Sequence, residues 1–473
     1  MMLKKLFTHT AIYGIAPQLT KFASFLALPI ITKDLTATDY GIAGVITAYA
    51  TAISAFATLG LRVVLVNSFF KSPNHYKWLW RQIYGFLTIW NIIYAFILSL
   101  LIYLIMPSEA IDNRLLIVGL TVLPLVLFGQ TQTICSTYYQ ISQKPLQVAS
   151  RSVVFGITTI ALNIYFISFL KMGYMGWFWS TFIVGLLTNL SFFYPLNFVL
   201  KITPILNYKW RLIKQSLKVS LPTVPHNYSS YLLGSSDKAV MDLLHINAER
   251  IGIYNLATLL GSPISQVASA STLAIGPILN SYYKKSQDFA ARNLIFFWQG
   301  MFIIGTLLFS IWLKEIVLIL FQNESMRASY KIGVILIMAF NYRPMYAGAN
   351  AKLFYTEKTK ILWRVSFIAG ISNIIMNLIA IPIWGVQAAA FTTFISYMYM
   401  GYSGFYFKVF KEVNPVKYYP EFWLAVTILA TMMAIYVVDQ GLVLKIIITT
   451  LVLLAASVAF IKLRKRDLNL FID

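Results

Sequence analysis

Apolar runs of membrane-spanning length, set end to end with short basic breaks, leave this chain few ways to fold. Such runs are readable at 10–31, 42–66, 83–106, 115–139, 147–170, 174–196, 217–245, 251–279, 293–320, 329–355, 361–383, 386–408, 419–438 and 442–462. Inside hydrocarbon a segment has to satisfy its own backbone polar groups, so each run is expected as a helix. Several contain Pro or Gly, which membrane helices tolerate where neighbours or water satisfy the freed groups. Only 11% of the 473 residues are charged and 59% are hydrophobic. A soluble domain carries about 25% charged residues. The expected class is therefore an all-α polytopic membrane protein with about fourteen transmembrane helices.

Lysine and arginine set the orientation. With the N-terminus inside, 26 of the 38 basic residues fall in cytoplasmic segments and eight in outer loops. Both termini are thus expected in the cytoplasm. The formal charge of +22 follows from this topology, and attraction to anionic headgroups is a by-product. The bases are scattered over short loops and form no patch interleaved with aromatics, so nucleic acid is not an expected partner. Cys135 is the single cysteine, which leaves no intramolecular disulfide. A cleavable leader is not expected, because the run after the basic first ten residues is too long and lacks a small-residue cleavage site.

The chain repeats itself. One copy begins at Tyr138 and the other at Phe354. Each carries an arginine (Arg151, Arg364), an asparagine in an apolar run (Asn163, Asn377), a glycine turn (Gly173, Gly385) and then S/T-T-F-I. A polar stripe of Thr47, Thr51, Ser54 and Thr58 recurs 211 residues later as Thr258, Ser262, Ser265 and Ser269. Two six-helix halves entering from the same side give a parallel repeat about an axis along the membrane normal. The expected organisation is an N-lobe at 1–198, a basic linker at 199–216, a C-lobe at 217–411 and two appended helices at 412–473. The linker reads as an amphipathic surface segment, with Ile205, Trp210 and Ile213 toward lipid.

Four basic residues remain inside the spans: Lys21, Arg62, Lys238 and Arg343. A lysine or arginine at the bilayer centre costs ~2.5–3.5 kcal/mol on insertion scales, so these should face protein or a water-filled cavity. Lys21 shares a face with Thr10, Gly14, Pro17, Gln18 and Ser24. Lys238 and Asp237 flank a polar face that carries Asn227. Arg343 lies in Asn341-Tyr342-Arg343-Pro344, where the proline can open the helix and free carbonyls. The alternative is that the cations pair with carbonyls or with Asp237 and merely hold helices together. One aspartate cannot neutralise four cations. The excess suits an anionic ligand such as phosphate or pyrophosphate. Lys21, Arg62, Lys238, Arg343, Asn227 and Asn341 are the candidate substrate-binding residues, and Asp237 is the candidate for ion coupling.

Several stretches carry a resemblance: LPIITKDLTATDYGIAGV, LGLR, LPTVPHNYSSYLLGSSDKAVM, ERIGIYNLA and GVQAAAFTTF. With these the chain resembles polysaccharide flippases of the Wzx type, within the multidrug/oligosaccharidyl-lipid/polysaccharide exporter superfamily. The resemblance implies two six-helix lobes around a central cationic cavity. It implies transport of an undecaprenyl-pyrophosphate-linked oligosaccharide, such as an O-antigen repeat unit, to the outer leaflet of the bacterial cytoplasmic membrane. The partners implied are that lipid-linked glycan, the bilayer and the polysaccharide polymerase machinery. Lys21, Arg62 and Lys238 fall where the family keeps basic residues, and Arg343 matches more loosely.

Two relatives remain as alternatives, a lipid II flippase of the MurJ kind and a cation-coupled drug exporter of the MATE kind. A drug exporter should bury carboxylates, and Asp237 stands nearly alone inside the spans. A membrane glycosyltransferase would need paired acids or a metal cluster beside a sizeable loop. The chain offers neither, and His9, His75, His226 and His245 are dispersed, so no catalytic residue, metal or cofactor is expected.

Overall fold

The computed structural model describes residues 20, 22–358 and 362–466, with the side chains at 226, 227, 229, 230, 362, 363 and 459–466 left aside. Lys21 and the side chain of Asn227 therefore lie outside the described residues. Among the described residues the regular structure is helical. Helix covers every expected span from the second to the fourteenth. Among the described residues, eight helices are by themselves long and apolar enough to cross a membrane, Ala37–Lys71 and Tyr76–Leu104 included. Their outward faces expose Phe96, Leu104, Leu115, Phe169 and Trp384, an apolar surface suited to lipid rather than water.

The chain forms two compact units, residues 1–255 and 256–473. In the first, helix α1 (Ala37–Ala57) opens with a capping box. The Thr36 hydroxyl accepts from the Asp39 amide, and the Asp39 carboxylate accepts from the Thr36 amide. The helix stops at the Leu59-Gly60 pair, both left-handed, and α2 (Arg62–Lys71) resumes it. Gly60 has no alternative here. A Cβ would lie 2.6 Å from the Ser220 carbonyl oxygen, and the Ser220 hydroxyl donates to the Leu59 carbonyl at 2.8 Å. Helix α3 (Tyr76–Leu104) carries the linker on its first turns. The Ile205 amide donates to the Arg81 carbonyl, the Lys209 amide donates to Gln82 Oε1, and Gly85 leaves room for the Ile205 backbone.

The linker continues as α4 (Trp210–Ser220). Trp210 is exposed as expected for lipid, but Ile213 is fully buried among Leu61, Leu65 and Ile83. The apolar stripe of α4 thus seats the helix on protein, with the same periodicity that a lipid-facing stripe would show. Helices α5 (Val224–Gly234) and α6 (Ser236–Leu243) follow, and both pack along α1. Helix α7 (Ala248–Leu260) crosses the start of α1 at two glycines. A Cβ on Gly41 would lie 1.8 Å from the Ala248 carbonyl oxygen, and one on Gly252 would lie 1.7 Å from that of Ala37. Ala37 and Ala248, like Gly41 and Gly252, stand 211 residues apart. The offset of the polar stripes therefore also relates the two sides of this crossing.

In the second unit, α8 (Ser262–Lys284), α9 (Asp288–Ile311) and α10 (Arg343–Tyr355) pack together. The chain reaches α10 through a helix at Ser329–Ala339 and a 3-10 turn at Phe340–Tyr342, with Pro344 in the first turn beyond. The break expected at the proline is present, and its freed Asn341 carbonyl accepts from Gln299 Nε2 at 2.9 Å. A second polar seam joins the helices Leu362–Trp384 and Val386–Tyr402. There Asn373 donates to Thr393, Asn377 donates to Asn373, and Thr392 donates to Asn377, all buried. Such interhelical bonds average about 0.6 kcal/mol in a membrane, so the seam fixes register more than it adds stability. The last helix, Leu442–Arg466, is pinned by Lys445, which is fully buried and bonds both Glu315 carboxylate oxygens at 2.7 and 2.8 Å.

Candidate functional site

The candidate residues separate by what surrounds them. Asp237 and Lys238 open α6 as successive residues, yet α7 gives each its own partner. The Tyr254 hydroxyl donates to Asp237, which is buried. Lys238, 8% exposed, donates to Asn255 Oδ1 at 3.0 Å. The Asn255 amide in turn donates to the Tyr40 carbonyl on α1 at 3.0 Å. One turn away, the Tyr49 hydroxyl donates to Asp242 at 2.9 Å. Lys238 thus belongs to a relay that joins α6, α7 and α1.

Arg62 heads α2, immediately after the left-handed break, and is exposed. Its Nη2 donates to Gln140 Oε1 at 2.6 Å. Asn341 is fully buried and accepts at Oδ1 from the Thr306 hydroxyl at 2.9 Å, while Gln299 holds its backbone carbonyl. The Asn341 side chain therefore packs the 3-10 turn rather than a cavity.

Arg343 is different. It begins α10, so Arg343, Ala347, Asn350 and Phe354 fall on one helical face. The facing helix α8 presents Thr272, Ile275, Gly276, Leu279 and Asn280 at the matching spacing, and α9 adds Trp298. These residues, with Tyr346 and Ala351, line an open-sided cavity of about 370 Å³. Among the described residues, no acidic one lines it. Tyr342 stacks on Tyr397 beneath the turn, and the Arg343 guanidinium lies 5.5 Å from the Tyr342 ring. Arg343 Nε and Trp298 Nε1 are both closed off from water and meet no acceptor. Arg343 as a whole is only half-buried, so the cavity reaches part of its side chain, whereas these two sealed donors would meet a ligand only after a local shift.

Thr272, Asn280, Trp298, Tyr346 and Asn350 were not among the sequence candidates. A signal for the α8 members was present. The Thr258–Ser269 stripe continues at helical spacing through Thr272 and Gly276 to Asn280. Asn350 lies two turns beyond Arg343, on its face. Trp298 carried no such mark, because an aromatic in an apolar run reads equally well as packing.

Among the described residues the fold is helical, with helices long and apolar enough to cross a membrane, and the class it defines is that of a multi-pass membrane protein. Within that class, the chain belongs to the polysaccharide biosynthesis protein family, whose model matches residues 6–283. The match ends before Arg343. None of the curated proteins matches the chain. The structure is similar to that of the lipid II flippase MurJ in an inward closed conformation, with a TM-score of 0.71 at 14% identity over 95% of this chain and 98% of that one. It is also similar to a mutant form of the Vibrio cholerae MATE transporter VcmN, with a TM-score of 0.52 at 13% identity, covering 86% and 96% of the two chains. An inward-facing MATE family multidrug resistance transporter of the MOP superfamily gives 0.52 at 14% identity, covering 88% and 95%. At these identities the likeness is one of fold.

Proposed function

We propose that this protein moves an undecaprenyl-pyrophosphate-linked oligosaccharide, the repeat unit of a surface polysaccharide such as O-antigen, from the inner to the outer leaflet of the bacterial cytoplasmic membrane. The observation that carries this reading is the Arg343 cavity, which sets a guanidinium among amides and aromatic rings with no acid among the described residues of its wall. A guanidinium offers fork geometry to phosphate oxygens, and its charge-assisted bonds are stronger than neutral ones. The family's role in polysaccharide biosynthesis and the fold shared with a lipid II flippase support the same reading. Both termini are assigned to the cytoplasm on the basic-residue asymmetry. The lobes at 1–198 and 217–411 are assigned on the internal repeat, and alternating access follows from that symmetry.

Arg343 takes the leading role at the head group, with Lys21, Arg62 and Asn227 as further contacts along the path. Lys238, Asn255 and Asp237 hold helices in register, and Asn341 supports the turn that presents Arg343. A MATE-like exporter of cations is the weaker alternative, because the cavity offers a cation where that chemistry needs a carboxylate.

The test is movement of the lipid itself. Vesicles holding the full chain should carry undecaprenyl-pyrophosphoryl oligosaccharide from one leaflet to the other, and empty vesicles should not. Wild-type protein that leaves this lipid in place while moving an organic cation would overturn the proposal in favour of drug export.

A further inference from the structure

Once Arg343 is assigned to the pyrophosphate, the cavity still holds two unused amides. Asn280 on α8 and Asn350 on α10 both line it; Asn280 is exposed and Asn350 half-buried, so both amides can be reached from the cavity. By contrast, the two hydroxyls on the wall are engaged. The Thr272 hydroxyl donates to the Ala268 carbonyl at 2.8 Å, and the Tyr346 hydroxyl pairs with Ser366 at 3.1 Å. Trp298 closes the remaining side, with its ring packed on Ala268 and Phe302 and its N–H without an acceptor.

Chemistry narrows what such a wall reads. A carboxamide donates and accepts at once, as sugar hydroxyl and acetamido groups do, whereas an anion offers only acceptors. An aromatic ring with one polar edge suits a pyranose, which presents an apolar C–H face and a polar rim. The volume sets the reach. About 370 Å³ lies near the lower end of the ~300–1,000 Å³ typical of small-ligand sites, enough for a head group with its neighbouring sugar but not for a whole oligosaccharide.

We propose that Asn280, Asn350 and Trp298 form a sugar subsite beside Arg343, which reads the first sugar attached to the lipid pyrophosphate. This rests on the transport reading above and makes the second unit the place where one lipid-linked glycan is told from another. Specificity then comes from hydrogen bonds that the matching sugar makes to these amides in place of water and that a mismatched sugar does not.

Binding to the full chain in detergent separates the possibilities. The probes are undecaprenyl pyrophosphate, undecaprenyl-pyrophosphoryl-galactose and undecaprenyl-pyrophosphoryl-N-acetylglucosamine. The wild type should bind at least one sugar lipid more tightly than the sugarless one. Asn280→Leu with Asn350→Leu should weaken that sugar lipid about tenfold, as expected for two lost hydrogen bonds, and leave the sugarless lipid unchanged. Trp298→Leu, which removes the aromatic wall, should act in the same direction by about threefold. The unchanged sugarless affinity doubles as the folding control. Equal weakening of all three lipids, or of none, overturns the subsite and leaves transport standing. Wild-type protein that binds no lipid-linked pyrophosphate at all overturns the transport reading as well.

Discussion

Lys238 and Arg343 enter the sequence as equals, each a lone cation inside an apolar run. The structure gives them opposite surroundings. Lys238 is surrounded by groups that use it: Asn255 takes its proton donor, and Asn255 then ties α7 to the Tyr40 carbonyl. Arg343 stands at the mouth of a helix break, where packing opens into a cavity and its Nε finds no acceptor. A buried charge in a membrane protein is therefore informative only with its neighbours. One that completes a relay holds helices, and one left beside a void is available to a ligand.

Lys445 sharpens the comparison from the other side, as a cation whose partner is a full carboxylate. It should give the largest stability effect. Lys445→Met leaves Glu315 charged and unpaired; a fully buried pair broken on one side costs ~3–5 kcal/mol, and the partial exposure of Glu315 brings this one toward or below the lower end. Thermal unfolding in detergent should show a large drop, and the double change Lys445→Met with Glu315→Leu should recover most of it. If the single variant unfolds like the wild type, the pair holds nothing.

Lys238→Met comes next. It leaves the Asn255 carbonyl oxygen unpaired, a loss of ~1–3 kcal/mol in stability, read as a lower unfolding midpoint with lipid affinity of the folded fraction retained. Smallest is Arg62→Lys. Arg62 is exposed and has one described bond, to Gln140, so transport in vesicles should stay near wild type. A complete loss there would move the functional centre away from Arg343.

Much of this was legible before any coordinates. Apolar length placed the helices, because hydrocarbon thickness imposes its own ruler. Asn341-Tyr342-Arg343-Pro344 announced both the break and the cation at it, since proline removes a helix donor locally. The 211-residue offset, first seen in the hydroxyl stripes, also relates the glycines of the α1–α7 crossing. Other features were out of reach. Lys445 and Glu315 are 130 residues apart, and their pairing is a property of packing alone. Ile213 shows why periodicity has a limit. An apolar stripe states that something apolar covers it, and in α4 that cover is protein. Asn280 and Asn350 sat at readable spacings but became a pair only when α8 met α10.

The account turns on Arg343 being available where Lys238 is occupied, and one paired measurement addresses it. Arg343→Gln and Lys238→Met are each compared with wild type for binding of undecaprenyl pyrophosphate to the folded, full-length chain. The expected result is a loss of tenfold or more for Arg343→Gln at normal abundance, partial recovery in Arg343→Lys, and wild-type affinity for Lys238→Met despite its lower unfolding midpoint. Wild-type affinity in Arg343→Gln, or a loss confined to Lys238→Met, would contradict it.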